Sequence, residues 1–279
     1  MIRLLCKWGQ CIAKGKMVDL YDIRDSYTTV SLTYDRNFSE RMKKYNIQMM
    51  EKLNIDGKKR VLDLACGTGV NIEWLLNRNP NLIITGIDIS RGMLERAQEK
   101  LAGKANLIET PMLQYLRSCG DASFDIITCS WALKYENPIE TMRQCFRVME
   151  KGGQIGVILN TKGTLPEVRK SYLRLINRDP DIVKKLMREL PSPKNEKRLR
   201  RVFARAGFKD IYTQYGSHAF CFASCEEAVK WVISTGALAG FDVMIDLRDE
   251  KIIGRLIELF EKDKAKTITH KFVWGVGIK

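Results

Sequence analysis

Two carboxylates with unusual neighbours offer this chain its clearest chemistry. Asp63 sits inside the apolar run of VLDLACGTG (61–69), and Asp88 closes a second apolar run in ITGIDIS (84–90). A carboxylate within a buried strand requires partners, which turn amides or a ligand ammonium would supply. Gly67 and Gly69 follow Asp63 and make a turn that lets backbone come close to a ligand. Asp88 falls about 20 residues beyond those glycines, where α/β nucleoside folds place an acid that accepts from the ribose hydroxyls. A dinucleotide would require a third glycine where Ile72 stands, and no GxxxxGK[ST] motif for a nucleoside triphosphate is present. Asp63 would also sit poorly beside a pyrophosphate. The residues therefore read as a half-site for a single nucleoside. The plainer readings are that Asp88 caps the helix beginning near Arg91 and that Met93 is only core.

Further segments recur in a telling order: SLTYDRNF (31–38), GIDISRGMLERAQ (86–98), ASFDIITCSWALKYENP (122–138) and RVMEKGGQIGVIL (147–159). With VLDLACGTG they make the chain resemble a class I S-adenosylmethionine (SAM) dependent methyltransferase of the small-molecule type, over roughly residues 20–215. The resemblance implies SAM as cofactor and S-adenosylhomocysteine as product. By the same resemblance, Asp63 and the backbone of Ala65, Gly67 and Gly69 surround the methionine moiety, with Asn71 supporting its carboxylate end. Asp88 then binds the ribose, Ile89 and Met93 pack on adenine, and Tyr34 reaches the cofactor from the lid side. The family usually has an acid after the third strand for the adenine amino group. This chain reads LIETPMLQYL at 107–116, so Glu109 or Thr110 takes that place, with Pro111 and Met112 as a flat wall. Cys129, Ser130 and Trp131 stand where the family turns its fourth strand toward the methyl group.

Methyl transfer is an in-line displacement that mainly demands alignment in a site protected from water, so few catalytic side chains are obligatory. The acceptor side is drawn from Tyr27, Trp131, Tyr135, His218 and Phe220. Only two histidines exist, His218 and His270. His218, expected to follow the sixth strand, and Tyr135 are the candidates for a general base. A carboxylate acceptor would need none, being ionised at neutral pH. No Cys or His spacing suggests a metal.

The elements that must hold these groups alternate from residue 59 onward as strand and helix. The expected order is strand 60–65, helix 70–78, strand 82–87, helix 91–102, strands 105–109 and 124–129, helix 138–149 and strand 153–159. Strands 209–215 and 270–279 complete the set. This predicts a Rossmann-like α/β fold of seven mostly parallel strands with helices on both faces and a helical lid. Residues 1–58 form an N-terminal helical extension in which Phe38, Met42, Tyr45, Ile47 and Met50 share an irregular apolar face. Residues 59–160 are the SAM-binding core, 161–207 a basic helical insert, and 208–279 the completion of the sheet. A second helical insert at 225–265 covers the acceptor.

The chain has 279 residues, 45% of them hydrophobic, enough for a full core, and a net charge of +14. Much of that charge is local, with thirteen basic residues against five acidic between 162 and 201. Such a cluster fits nucleic acid, an anionic surface or acidic small substrates. The eight cysteines lack paired spacing and read as reduced thiols of a cytoplasmic protein. No stretch reaches transmembrane length. Ile2, Leu5, Trp8 and Ile12 line one face of a short basic N-terminal helix, expected to pack on the domain, with contact to a membrane surface as the alternative.

The leading expectation is methyl transfer to oxygen or nitrogen of a small or medium-sized metabolite, natural product or peptide, an anionic one being favoured by the basic lid. The alternatives are a quinone-type C-methyltransferase, an RNA methyltransferase, and a non-catalytic SAM-binding protein. CSWAL replaces the Asn/Asp-Pro-Pro-aromatic strand end common in base methyltransferases, which disfavours nucleic acid.

Overall fold

Val61, Leu62, Leu64, Ile126, Ile127, Ile155, Val157 and Ile158 are all fully buried, as expected of strands covered on both faces. A computed structural model describes residues 2–57 and 60–279, and of Ile2 the backbone only. The expected boundary between residues 58 and 59, and the expected place of Ile2 on an apolar face, lie outside the described residues.

In chain order the elements begin with α1 (Ile2–Ala13), α2 (Leu20–Tyr34), a π-helical turn (Asp35–Ser39) and α3 (Glu40–Met50). There follow β1 (Arg60–Leu64), α4 (Val70–Arg78), β2 (Ile83–Asp88), α5 (Arg91–Leu101), β3 (Asn106–Glu109) and α6 (Met112–Ser118). Next come β4 (Phe124–Ser130), a 3₁₀ turn (Leu133–Tyr135), α7 (Pro138–Val148) and β5 (Met149–Asn160). The remainder is α8 (Pro166–Arg178), α9 (Glu196–Ala206), β6 (Lys209–Cys221), α10 (Cys225–Ile233), α11 (Phe241–Met244), α12 (Glu250–Lys262) and β7 (Thr267–Ile278).

The seven strands form one sheet in the order β3-β2-β1-β4-β5-β7-β6. Pairs β1–β2, β1–β4, β2–β3 and β4–β5 are parallel, while β7 runs antiparallel to β5. The order reverses between β1 and β4, and in open α/β sheets ligands bind beyond the strand ends at such a reversal. Asp63 lies on β1 opposite Thr128 of β4.

The chain divides into two compact units. One comprises Phe38–Lys162, Leu190–Gly216 and Lys271–Lys279, and holds α3 to α7, α9 and the body of the sheet. In it α9 buries Leu199, Phe203 and Ala206. That helix starts where Asn195 accepts from the Arg198 amide and stops at Gly207, φ +107°. The other comprises Met1–Asn37, Gly163–Glu189 and Ser217–His270. There Asp263 of the α12 C-terminus binds Arg174 and Lys170 of α8, and Arg255 binds Asp179. The basic insert is thus shared, its α8 segment in one unit and its α9 segment in the other.

Three sequence expectations change. β6 extends to Cys221, so His218 lies within the strand and not after it. Within the longer strand, Gly216 leaves room for the Phe272 ring. β5 begins at Met149, because Gly152 (φ +75°) and Gly153 are absorbed in an irregular strand start where the β4–β5 register shifts. In α1, Leu5, Trp8 and Ile12 lie exposed, while Cys11 is the buried side and Arg3 pairs with Asp181. Among the described residues, no helix is long and apolar enough to cross a membrane.

Candidate active site

The turn after β1 is built from three residues in the left-handed region: Ala65 (φ +53°), Gly67 (φ +56°) and Gly69 (φ +80°). Alanine in this region is uncommon, and such backbone concentrates at ligand sites. A Cβ on Gly67 would meet no protein atom within 4 Å, so this side of the turn is open. The turn is tied down from β2: Cys66 N donates to Ile87 O at 2.8 Å and Gly67 N to Asp88 Oδ2 at 2.9 Å. Asp88 Oδ1 accepts from Ser90 N at 2.8 Å. The cap of α5 is Ser90, whose hydroxyl accepts from Met93 N, so capping does not account for Asp88. Asp88 is 8% exposed, and burial pushes its carboxyl up to about 6 despite those backbone donors.

Asp63 is fully buried. Its Oδ1 accepts from the Thr128 hydroxyl at 2.6 Å and from Asn71 Nδ2 at 3.2 Å, while Oδ2 has no partner among the described residues. The turn amides expected to satisfy it are not those donors. Desolvation pushes this carboxyl up to about 7. Asn71 continues the network, donating to Ser130 Oγ at 3.0 Å and accepting from Asn46 Nδ2 at 3.0 Å. Asn46 in turn accepts from Trp131 Nε1 at 3.0 Å. One chain of side-chain hydrogen bonds therefore links α3, α4 and the tips of β1 and β4.

At the β4 tip Trp131 has φ +66°, and its amide donates to Ile158 O. Its ring stacks edge-on against Phe38 and Phe272, with centroids 5.7 and 5.4 Å away. Cys129 is buried among Leu64 and Val157, its register partners, and its thiol is pushed up to about 12 by desolvation. Lys134, 5% exposed, donates to Trp131 O at 2.6 Å and lies over the half-buried Tyr135 ring at 4.2 Å. Burial pulls its ammonium down to about 7.

Beyond β2, Thr110 N donates to Asp88 O at 2.9 Å, so the β3 exit runs beside the second carboxylate. Glu109 points to solvent, and Pro111 starts α6, where Met112 is buried. Glu136 accepts from the amides of Met112 and Leu113 at 2.8 and 3.0 Å and holds this wall in place.

The structure thus gathers Asp63, Ala65, Gly67, Gly69, Asn71, Asp88, Ile89, Met93, Thr110, Pro111, Met112, Cys129, Trp131 and Tyr135 in the sheet-bearing unit. Tyr27, Tyr34, His218 and Phe220 belong to the other. In that unit Tyr27 and Tyr34 pack edge to face with centroids 6.0 Å apart. Phe220, buried, packs on Trp231 at 4.2 Å and on His218 at 4.5 Å. Sequence reasoning missed Asn46, Thr128, Lys134 and Glu136. Asn46 had a signal, a polar residue at helical spacing between Met42 and Met49. Lys134 had a weaker one, a lone cation in the apolar WALKY.

The site suits an adenosyl ligand with an ammonium group: an orphaned buried carboxylate oxygen, an open left-handed turn, and a second carboxylate at the end of β2. Comparison with known proteins agrees. A family model described as "Methyltransferase domain" matches residues 61–153. A malonyl-[acyl-carrier protein] O-methyltransferase of Paenibacillus sp. (strain JDR-2) is 23% identical over 212 residues, covering 73% of this chain and 75% of that protein. A demethylmenaquinone methyltransferase of Lactobacillus johnsonii is 23% identical over 214 residues, covering 68% and 86%. Among solved structures, phosphoethanolamine N-methyltransferase 2 of Haemonchus contortus, in complex with phosphomonomethylethanolamine and S-adenosylhomocysteine, superposes with a TM-score of 0.57 at 15% identity. It covers 90% of this chain and 57% of its own, a likeness of fold.

Proposed function

From the premise that the chain is a class I S-adenosylmethionine-dependent methyltransferase, we propose that it methylates oxygen or nitrogen of a small or medium-sized anionic acceptor. Metabolites, natural products and peptides all fall within that class. The observation that carries the cofactor half of this reading is the orphaned Asp63 Oδ2, buried one turn from three left-handed residues. Bound SAM supplies an electrophilic methyl group on a sulfonium.

In this reading Asp63 holds the methionine ammonium, Asn71 and the amides of Ala65, Gly67 and Gly69 its carboxylate end, and Asp88 the ribose hydroxyls. Ile89, Met93, Thr110, Pro111 and Met112 wall the adenine, with Cys129 beneath. The acceptor contacts proposed on the sheet-bearing unit are Trp131 and Tyr135, and substitution of Tyr27, Phe220 and His218 tests whether the other unit contributes. Of these, His218 and Tyr135 are the proton acceptors to test, and an ionised carboxylate acceptor would need neither.

The names of the two sequence relatives bring two acceptor chemistries to this chain, a carrier-bound acyl group methylated on oxygen and a quinone precursor. The basic run at 162–201 favours the anionic one. Incubation with methyl-labelled SAM and a panel of malonyl thioester, carboxylate, phosphoamine and quinol acceptors tests this. Label is expected on an anionic acceptor. Label on RNA alone would replace the reading with nucleic acid methylation, and binding without transfer to any acceptor would make the chain a SAM-binding scaffold.

A further inference from the structure

A pocket of about 370 Å³ opens in the sheet-bearing unit beside α9. Its floor is apolar: Leu133, Leu159 and Leu199 are at most 1% exposed, and Pro138, Pro191 and Val202 continue the wall. Its rim carries Lys162, Lys194, Arg198, Arg201 and Arg205, with no carboxylate among the lining residues. The three arginines recur at i, i+3 and i+7, so they share one face of α9, turned from the face that buries Phe203 and Ala206. Like charges at these spacings repel. Among the described residues no acid pairs with Lys194, Arg198, Arg201 or Arg205, so the repulsion stands uncompensated.

We propose that this pocket binds a phosphate ester bearing an apolar chain, the phosphate held by the α9 arginines and the chain laid on the leucine floor. The size is that of a small-ligand site. Arginine forks match phosphate oxygens bidentately, and both phosphate monoesters and diesters present such oxygens. A concave, proline-walled pocket suits one end of a molecule better than an extended polymer.

Its place ties it to the chemistry. Leu133 is three residues beyond Ser130, a span of at most about 10 Å, and Ser130 accepts from Asn71 of the Asp63 network. Leu159 follows Ile158, whose carbonyl accepts from Trp131 N. The identity of this ligand as the methyl acceptor rests on the proposed function, whereas the anion site itself does not.

Titration of the full chain with n-octyl phosphate, alongside S-adenosylhomocysteine, tests the inference. Octyl phosphate is expected to saturate at one equivalent and to bind at least tenfold tighter than octanol. The exposed-face variant R198Q/R201Q/R205Q should lose at least tenfold while S-adenosylhomocysteine affinity stays unchanged. Methyl octyl phosphate separates two sources of the same chemistry. Equal binding of this diester points to a chain tethered through its phosphate, and preference for the monoester to a free metabolite. Octyl phosphate binding no tighter than octanol, or unaffected by the triple substitution, would overturn the site. So would an RNA oligomer that binds with a steep salt slope where octyl phosphate does not bind. Should S-adenosylhomocysteine fail to bind while octyl phosphate saturates, the methyl-transfer reading falls and the anion site stands.

Discussion

Burial of the ionised Asp63 carboxylate costs the protein stability. Its folded-state value, about 7, lies above the ordinary 3.8 because burial penalises the charge. A group raised in this way contributes stability that is complete below pH 3.8 and lost as pH rises through about 7. Asp63→Asn keeps the shape and removes the charge. We expect it to raise Tm at pH 8, by about 2–4 °C for each kcal/mol recovered, with the gain fading toward pH 4. We also expect S-adenosylhomocysteine affinity to fall at least tenfold in the same variant. A Tm at pH 8 that drops instead would show that the ionised carboxylate is already compensated. Of this residue's surroundings, the strand and its burial were legible in VLDLA. The donors Thr128 and Asn71 were not, because they arrive from another strand and from the following helix.

At the scale of elements, the two glycines on either side of the β1–β2 pair do different work. Gly67 faces open space, whereas a Cβ on Gly86 would lie 2.6 Å from Ile72 Cδ1 and 3.0 Å from Cys66 Sγ. Gly67→Val should therefore abolish S-adenosylhomocysteine binding, with a backbone cost of about 1–2 kcal/mol for leaving glycine in a left-handed position. Gly86→Ala should cost about 1–3 kcal/mol through overpacking between α4 and β2, while affinity measured on the folded fraction changes less. Thermal melts with and without S-adenosylhomocysteine distinguish the two. Equal loss of affinity in both variants would remove the special role of the turn. The period-two and helical patterns located β1, α4, β2, α5 and α7 within a residue or two, since these elements carry their own caps and apolar stripes. They misplaced the end of β6 and the start of β5, where a glycine serves a neighbouring ring or an irregular register and not a turn.

For the molecule as a whole, the buried titratable groups pull in opposite directions with pH. Asp63 and Asp88 are raised by burial, to about 7 and about 6, so their contribution is lost as pH rises from 3.8 through those values. Lys134 is lowered from 10.5 to about 7, so its contribution is full above 10.5 and lost as pH falls through 7. Ligand binding only to the folded form adds RT ln(1 + [L]/Kd), about 2.7 kcal/mol at a hundredfold excess over Kd. We expect the ligand-free protein to be less stable near pH 7 than these groups would allow at either side. We also expect saturating S-adenosylhomocysteine to raise Tm most there. Lys134→Met should flatten the alkaline side of that profile, and an unchanged alkaline limb would show that the lysine is charged in the folded state.

What the residues alone determined is the order of strands and helices, written in contiguous apolar runs, glycines and caps, while the cofactor class came from the resemblance those segments carry in their order and the half-site at the β1 and β2 tips is an expectation drawn from them. Tertiary structure decided what meets across distance: the Asp63–Asn71–Asn46–Trp131 chain, the buried Lys134, the division of the basic insert between two units, and the pocket in which the arginines of α9 meet Leu133 after β4 and Leu159 of β5. Such contacts depend on which faces pack together, and local spacing carries no record of a partner a hundred residues away.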